Sequence, residues 1–349
     1  MPKTIEITPF QPKPVKFKNH LKKSQKIKFF SGIVLLLFIS LLFSQPWNIH
    51  NLTSHARPVK SYEEALVRIE KLKTEESPAV NPVGRLIFMT HGKKVERVIV
   101  FVHGYTNCPQ QFRALGEQFY NMGYNVLVAR LPHHGLKDRM TEEHGKLTAE
   151  ELIQYGDEVV DIAQGLGERV TMAGLSAGAN IVAWEAQNRR DLDLAVIIAP
   201  VFGYKQIPLA ITPVLTNLCR SIIPNTFRWW EPKLKEKGGT AYSYPRFSTR
   251  ATAQILRLGY AIQAKAKWAK PLARNILFIM NANDASVHPV PIENLFKQWQ
   301  HQGVNLKVYR IGARLQLEHD LVDPAQPYAK TDVSYPLLIE AITQFEKIK

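Results

Sequence analysis

Residues 168–178 read Glu168-Arg169-Val170-Thr171-Met172-Ala173-Gly174-Leu175-Ser176-Ala177-Gly178. A strand-like run ends in the pattern Gly-x-Ser-x-Gly, and a helix-compatible stretch, Asn180 to Asn188, follows at once. A serine on so sharp a strand-to-helix turn is forced into a strained backbone that lifts its hydroxyl clear of the sheet. The flanking glycines lack the Cβ atoms that would clash in the turn. Small residues around a serine also occur in ordinary turns. The strand before and the helix after favour Ser176 as a nucleophile.

A serine of this kind needs an acid and a histidine, which follow it in that chain order. The apolar run Asn275–Met280 reads as a buried strand and ends in Asn281-Ala282-Asn283-Asp284. Open α/β sheets place functional groups at such carboxyl ends. Asp284 is therefore the expected acid, and the plainer alternative is a turn aspartate or an N-cap for a helix near Ile292–Gln302. The next strand, Leu306–Ile311, leads to a loop holding Glu318-His319-Asp320. His319 is the expected base, taking the Ser176 proton and returning it to the leaving group while Asp284 holds its tautomer.

Two backbone N–H groups should hold the oxygen of the tetrahedral intermediate. Arg97–Val102 is a β-branched strand followed by His103-Gly104-Tyr105-Thr106-Asn107. The expected donors are Tyr105 in that loop and Ala177 after the nucleophile. His103 precedes the serine and is read as an organiser of the loop. His133 and His134 are read as a wall of the site, and His288 as a local hydrogen-bonding residue.

These motifs together resemble the α/β-hydrolases, and among them bacterial carboxylesterases and monoacylglycerol-lipase-like enzymes. The likeness rests on His103–Pro109 with Phe112, Pro132-His133-His134-Gly135, the elbow at Gly174–Gly178, Asp284 and His319, and covers about residues 85–349. Such families often have Pro-Gly-His-Gly where this chain has His133, and a second glycine where it has Ala179. The resemblance implies a mainly helical cap inserted after the strand Leu194–Ala199, at about residues 201–270, where the regular alternation breaks. The alternative is an apolar packing element without a substrate role. It also implies a serine hydrolase of carboxylic esters, with amide, peptide or thioester bonds and an idle binding protein as alternatives.

Composition agrees with one large catalytic unit. The chain has 349 residues, 45% of them hydrophobic, enough for a sizeable core. Strand-like runs at 98–102, 125–129, 170–173, 194–199, 276–280 and 306–311 alternate with helical ones at 110–122, 149–165 and 336–349. That alternation predicts a mostly parallel, doubly wound sheet.

The net charge is +15, and residues 1–28 contribute +7 of it through eight lysines against Glu6. Residues 29–43 then carry no charge, and a helix extended to Trp47 would span about 28 Å. This reads as a basic cytoplasmic tail (1–28), a single transmembrane anchor (29–47), and a stalk and surface helix (48–84), with the catalytic domain outside the cytoplasm. A signal peptide is the competing reading, disfavoured by the long basic region and the lack of an Ala-x-Ala-like site. The lysines beside an apolar run suit anionic lipid headgroups, and no nucleic-acid motif is present. Cys108 and Cys219 cannot build a disulfide framework, though one bridge stays open. Asn51-Leu52-Thr53 matches a glycosylation sequon. No metal-ligand spacing occurs, so neither metal nor cofactor is expected, and the partner expected is a small ester or lipid. Nothing in the sequence speaks to oligomeric state.

Overall fold

The computed structural model describes residues 27–34 and 44–346. The chain divides into two units, Met1–Ser44 and Gln45–Lys349. In the first, residues 27–34 are helical. No helix among the described residues is long and apolar enough to cross a membrane. The expected basic tail lies almost wholly outside the described residues, as do positions 35–43 of the expected anchor. Residues 45–47 of that anchor belong instead to the second unit. There the Trp47 N–H donates to Asn217 Oδ1 at 2.8 Å.

The second unit is built on a seven-stranded sheet. Its strands are β1 (Ile87–Met89), β2 (Val95–Val102), β3 (Asn125–Val128), β4 (Gly167–Leu175), β5 (Leu194–Ile198), β8 (Asn275–Asn281) and β9 (Asn305–Ile311), and β6 (Phe227–Trp229) and β7 (Arg246–Ser248) form a separate antiparallel pair. The sheet order is β1-β3-β2-β4-β5-β8-β9, with β1 antiparallel and the rest parallel. Val98 to Val102 are wholly buried, as continuous apolar runs are when helices cover both faces of a parallel sheet. The six expected strands are present. The edge strand β1 was not foreseen, because three residues carry too little periodicity to read.

Among the described residues of this unit the α-helices are α1 (Tyr62–Thr74), α2 (Arg113–Asn121), α3 (Ala149–Leu166), α4 (Ala177–Asn188), α5 (Thr212–Ser221), α6 (Thr249–Ala266), α7 (Pro289–His301) and α8 (Thr331–Glu346). Helix α3 starts at a reciprocal capping box between Thr148 and Glu151. Helix α1 buries Ala65 and Ile69 and lies so close to α3 that a Cβ added at Gly165 would sit 2.3 Å from the Ser61 carbonyl oxygen. The strap before it is pinned by carboxylates. Asp157 accepts the Ser54 hydroxyl and the His55 N–H, and Asp161 accepts the Arg57 N–H. Residues 48–84 are thus laid along the domain, with Ile49, Leu52 and Val59 in its core.

The stretch between β5 and β8, expected as a cap over about 201–270, divides in two. Helix α6 buries Ala251, Ile255, Leu258 and Ile262, and Asn180 of α4 donates to the Ile255 carbonyl at 3.1 Å. It is a layer helix packed beside α4. The part before it is mixed rather than mainly helical: α5, a 3-10 turn and the β6/β7 pair. A helix with one apolar stripe looks the same in sequence whether it covers a sheet or a pocket, which is why the boundary was not legible.

Candidate active site

The order of the strands creates the site. From β2 the chain steps outward to β3, then returns across to β4 on the other side of β2. A crevice opens at the carboxyl ends of strands where the order reverses. The loop after β2 carries Gly104 and Tyr105, and the turn after β4 carries Ser176 and Ala177. Asp284 follows β8 and His319 follows β9. All of these except Asp284 border one open cavity of about 460 Å³.

Ser176 has φ 59° and ψ −119°, a region that non-glycine residues enter only when the surroundings enforce it. The enforcement is local. Its N–H donates to the Ile198 carbonyl at 3.0 Å, and its carbonyl accepts the Ala179 N–H at 3.0 Å. A Cβ at Gly174 would lie 2.5 Å from the Gly178 oxygen, and one at Gly178 only 2.2 Å from the Val102 oxygen. Ala177 opens α4, so its N–H is among those with no acceptor inside the helix.

His319 and Asp284 are joined by a 2.7 Å hydrogen bond from the ring Nδ1 to the carboxylate Oδ2. The other carboxylate oxygen accepts the N–H groups of Ser286 at 2.8 Å and Val287 at 3.1 Å. Burial pushes the Asp284 carboxyl up, but the His319 ring and these hydrogen bonds outweigh it and hold it below the ordinary carboxylate value. Burial pushes the His319 ring down, yet the Asp284 charge and bond, aided by Asp320, leave it above an ordinary histidine.

The loop after β2, expected to supply an oxyanion donor, is aimed by His103. The Leu131 N–H donates to His103 Nε2 at 3.1 Å, so the ring proton sits on Nδ1, which donates to the Gly104 carbonyl at 2.9 Å. A trans peptide is planar with its C=O and N–H opposed. Fixing the Gly104 carbonyl therefore fixes the direction of the Tyr105 N–H. With both nitrogens engaged and burial pushing it down to about 4, His103 stays neutral. It is an organiser of the loop.

The cap holds the same loop from outside. Thr106, at φ 69°, accepts the Tyr244 N–H on its carbonyl at 2.7 Å and the Trp230 indole N–H on its hydroxyl at 2.9 Å. The Tyr105 hydroxyl accepts the Ser248 N–H at 3.1 Å. Beneath it lie buried His134, edge-on to Tyr105, and His144, stacked on Tyr244. His144 carried no motif and was not foreseen in the sequence. His133 turns away to Glu151 at 3.0 Å, and His288 caps α7. Cys108 and Cys219 are both free. Burial pushes the Cys108 thiol up to about 12, so it remains protonated and un-nucleophilic. Among the described residues no group of His, Cys, Asp or Glu is arranged to hold a metal.

The model of a family described as serine aminopeptidase S33 matches residues 93–320, well over half of the chain. The chain is similar to the thermostable monoacylglycerol lipase of Bacillus sp. (strain H-257), at 23% identity over 265 residues covering 71% of this chain and 89% of that one. Among solved structures it is similar to the monoacylglycerol lipase of Paleococcus ferrophilus, with a TM-score of 0.56 at 17% identity over 74% of this chain and 98% of that one. A soluble variant of the monoglyceride lipase of Saccharomyces cerevisiae gives 0.57 at 14% identity, over 75% and 90% respectively. At these identities the solved structures speak to a common fold.

Proposed function

The chain belongs to the serine aminopeptidase S33 family of α/β-hydrolases, a family of serine hydrolases, and from that premise we propose that it cleaves carboxylic esters through an acyl-enzyme on Ser176. The supporting observation is the 2.7 Å bond between His319 and Asp284 at the cavity that the elbow serine borders. In this reading His319 Nε2 takes the hydroxyl proton as Ser176 Oγ attacks the carbonyl carbon. The carbonyl oxygen becomes an oxyanion between the N–H groups of Ala177 and Tyr105. His319 then gives its proton to the departing alkoxide. Water, activated by the same ring, attacks the acyl-enzyme and frees the acid and Ser176. Asp284 holds the productive tautomer and balances the imidazolium.

The similarity to monoacylglycerol lipases favours a lipid-derived ester, and Trp230, Tyr204 and Tyr328 supply aromatic walls to the cavity. The proposal includes attachment to a membrane through the uncharged run at 29–43 beside the lysine-rich tail.

The test is hydrolysis of p-nitrophenyl esters from acetate to palmitate, and of monoacylglycerols, by the full chain in detergent, with Ser176→Ala alongside. Ester turnover that vanishes in the variant, and labelling of the wild type alone by a fluorophosphonate, are the expected results. A folded wild type that turns over amides and not esters, or reacts with neither substrate nor probe, overturns the ester assignment. Release of the chain from vesicles by salt alone would overturn the attachment.

A further inference from the structure

The oxyanion loop and the histidine loop lie far apart in the sequence, yet one side chain joins them. Gln111 stands in the 3-10 turn Pro109–Phe112 and is buried. Its Oε1 accepts the Gly104 N–H at 2.8 Å, and its Nε2 donates to Asp320 Oδ2 at 2.8 Å. Gly104 precedes the oxyanion donor Tyr105, and a Cβ added there would lie 3.7 Å from Ser176 Cβ. Asp320 follows the base His319. Its Oδ1 accepts the N–H groups of Val322 and Asp323 at 3.1 Å each, and its Oδ2 also accepts the Gln326 amide at 2.9 Å. Asp320 thus anchors the histidine loop, and Gln111 ties that anchor to the oxyanion loop.

We propose that Gln111 is a positioning residue that keeps the oxyanion donor and the base in register across the cavity. It rests on the ester-hydrolase reading above, because register matters only if both loops serve one reaction at Ser176. The bridge needs an acceptor and a donor on one short planar group, which an amide provides and a carboxylate or thioether does not. The Gly104 carbonyl is already held by His103, so the Gln111 bond fixes the second polar group of the same residue. Buried polar partners left unpaired would draw the loop out of place. Displacements of about 1 Å at a reacting centre cost about 100-fold.

The experiment measures kcat and KM of the full chain for one p-nitrophenyl ester in four forms: wild type, Gln111→Met, Gln111→Glu, and Gln111→Glu combined with Asp320→Asn. Methionine keeps the length and loses both bonds. Glutamate keeps the Gly104 bond and sets two carboxylates against each other. The double variant restores the bridge with its direction reversed, an amide at 320 donating to a carboxylate at 111, while the Gln326 amide, which donates to the same oxygen in the wild type, turns its own oxygen to the new N–H. Expected are falls of about 10- to 100-fold in kcat for both single variants with KM changed by less than about threefold, and recovery in the double variant to within about fivefold of wild type. A merely structural role would move stability without this rescue. Either single variant keeping its kcat within about twofold, or a folded double variant no better than Gln111→Glu alone, overturns the assignment. Should Gln111→Met fail to fold, the two glutamate forms decide it. A wild type without Ser176-dependent turnover overturns the ester reading and this proposal together, whereas an active wild type with indifferent variants overturns only this one.

Discussion

Replacing Asp284 by asparagine separates the charge of the acid from its shape. The side-chain oxygen of asparagine can still accept the Ser286 and Val287 N–H groups that now hold Oδ1, so the turn after β8 should stand. The amide nitrogen then faces His319 Nδ1 and can only donate. The ring must take its proton on Nε2, the atom that has to accept from Ser176, and the base is lost. The carboxylate also stabilises the imidazolium that forms during attack. Opposite unit charges 2.7 Å apart in a medium of effective dielectric about 20 attract by about 6 kcal/mol. At about 1.4 kcal/mol per decade that is about four powers of ten. Solvent reaches 23% of the His319 side chain, which screens part of this, so kcat/KM should fall by about 1,000- to 10,000-fold. The assay is initial-rate hydrolysis of a p-nitrophenyl ester with thermal unfolding measured on the same preparations. A folded variant that keeps more than about a tenth of wild-type kcat/KM would refute the argument, because neither the tautomer nor the charge would then matter.

Two further outcomes follow from the same geometry. The His319 ring lies above its ordinary value of 6.5, and only the neutral ring can accept the serine proton. The acid limb of kcat/KM should therefore centre above that value, with activity lost as pH falls through it, and Asp320→Asn should move the limb to lower pH. A limb at or below 6.5, or one indifferent to Asp320, would count against His319 as the base. Gly178→Ala would set a methyl group 2.2 Å from the Val102 oxygen and 2.8 Å from the His103 oxygen, forcing the elbow away from the oxyanion strand. It should cost about 3 kcal/mol of stability and most of the activity. Calorimetry showing an unchanged transition would refute the packing argument.

What could be read from the sequence was what local geometry enforces. The elbow was legible because a serine at positive φ between two close backbones requires the glycines on either side. The central strands were legible because a parallel sheet covered on both faces tolerates only apolar runs, and Asp284 and His319 were singled out as acid and base by their place after β8 and β9. The rest depends on contacts distant in sequence. Nothing near Gln111 announces its partner in Asp320. Nothing in 48–84 tells that Asp157 and Asp161 wait in α3 to receive that strap. Both also pair with Arg189, which lies 2.7 Å from Asp161 Oδ1. His144 reads as a loop histidine, and only folding stacks it 4.6 Å from Tyr244.

These contacts also divide the site into parts of unequal firmness. In the proposed mechanism the nucleophile is Ser176, which directly follows β4 in the middle of the sheet, with Val102, Gly174 and Ile198 packed around its turn. Its position is part of the core and cannot be altered without unfolding the centre of the domain. The proposed oxyanion donor has a different status. Tyr105 is aimed from below by His103 through the Gly104 carbonyl, and the residue after it is kept at φ 69° by bonds from Tyr244 and Trp230, both in the cap. A non-glycine residue in that conformation persists only while its partners hold it. Half of the hold on the oxyanion loop therefore belongs to an element outside the sheet, with Trp230 partly exposed at 43%. Removing the two bonds from Tyr244 and Trp230 would release Thr106 toward an ordinary backbone and loosen the loop that carries the Tyr105 N–H. In the proposed mechanism the oxyanion site is therefore complete only with these contacts from Trp230 and Tyr244 in place.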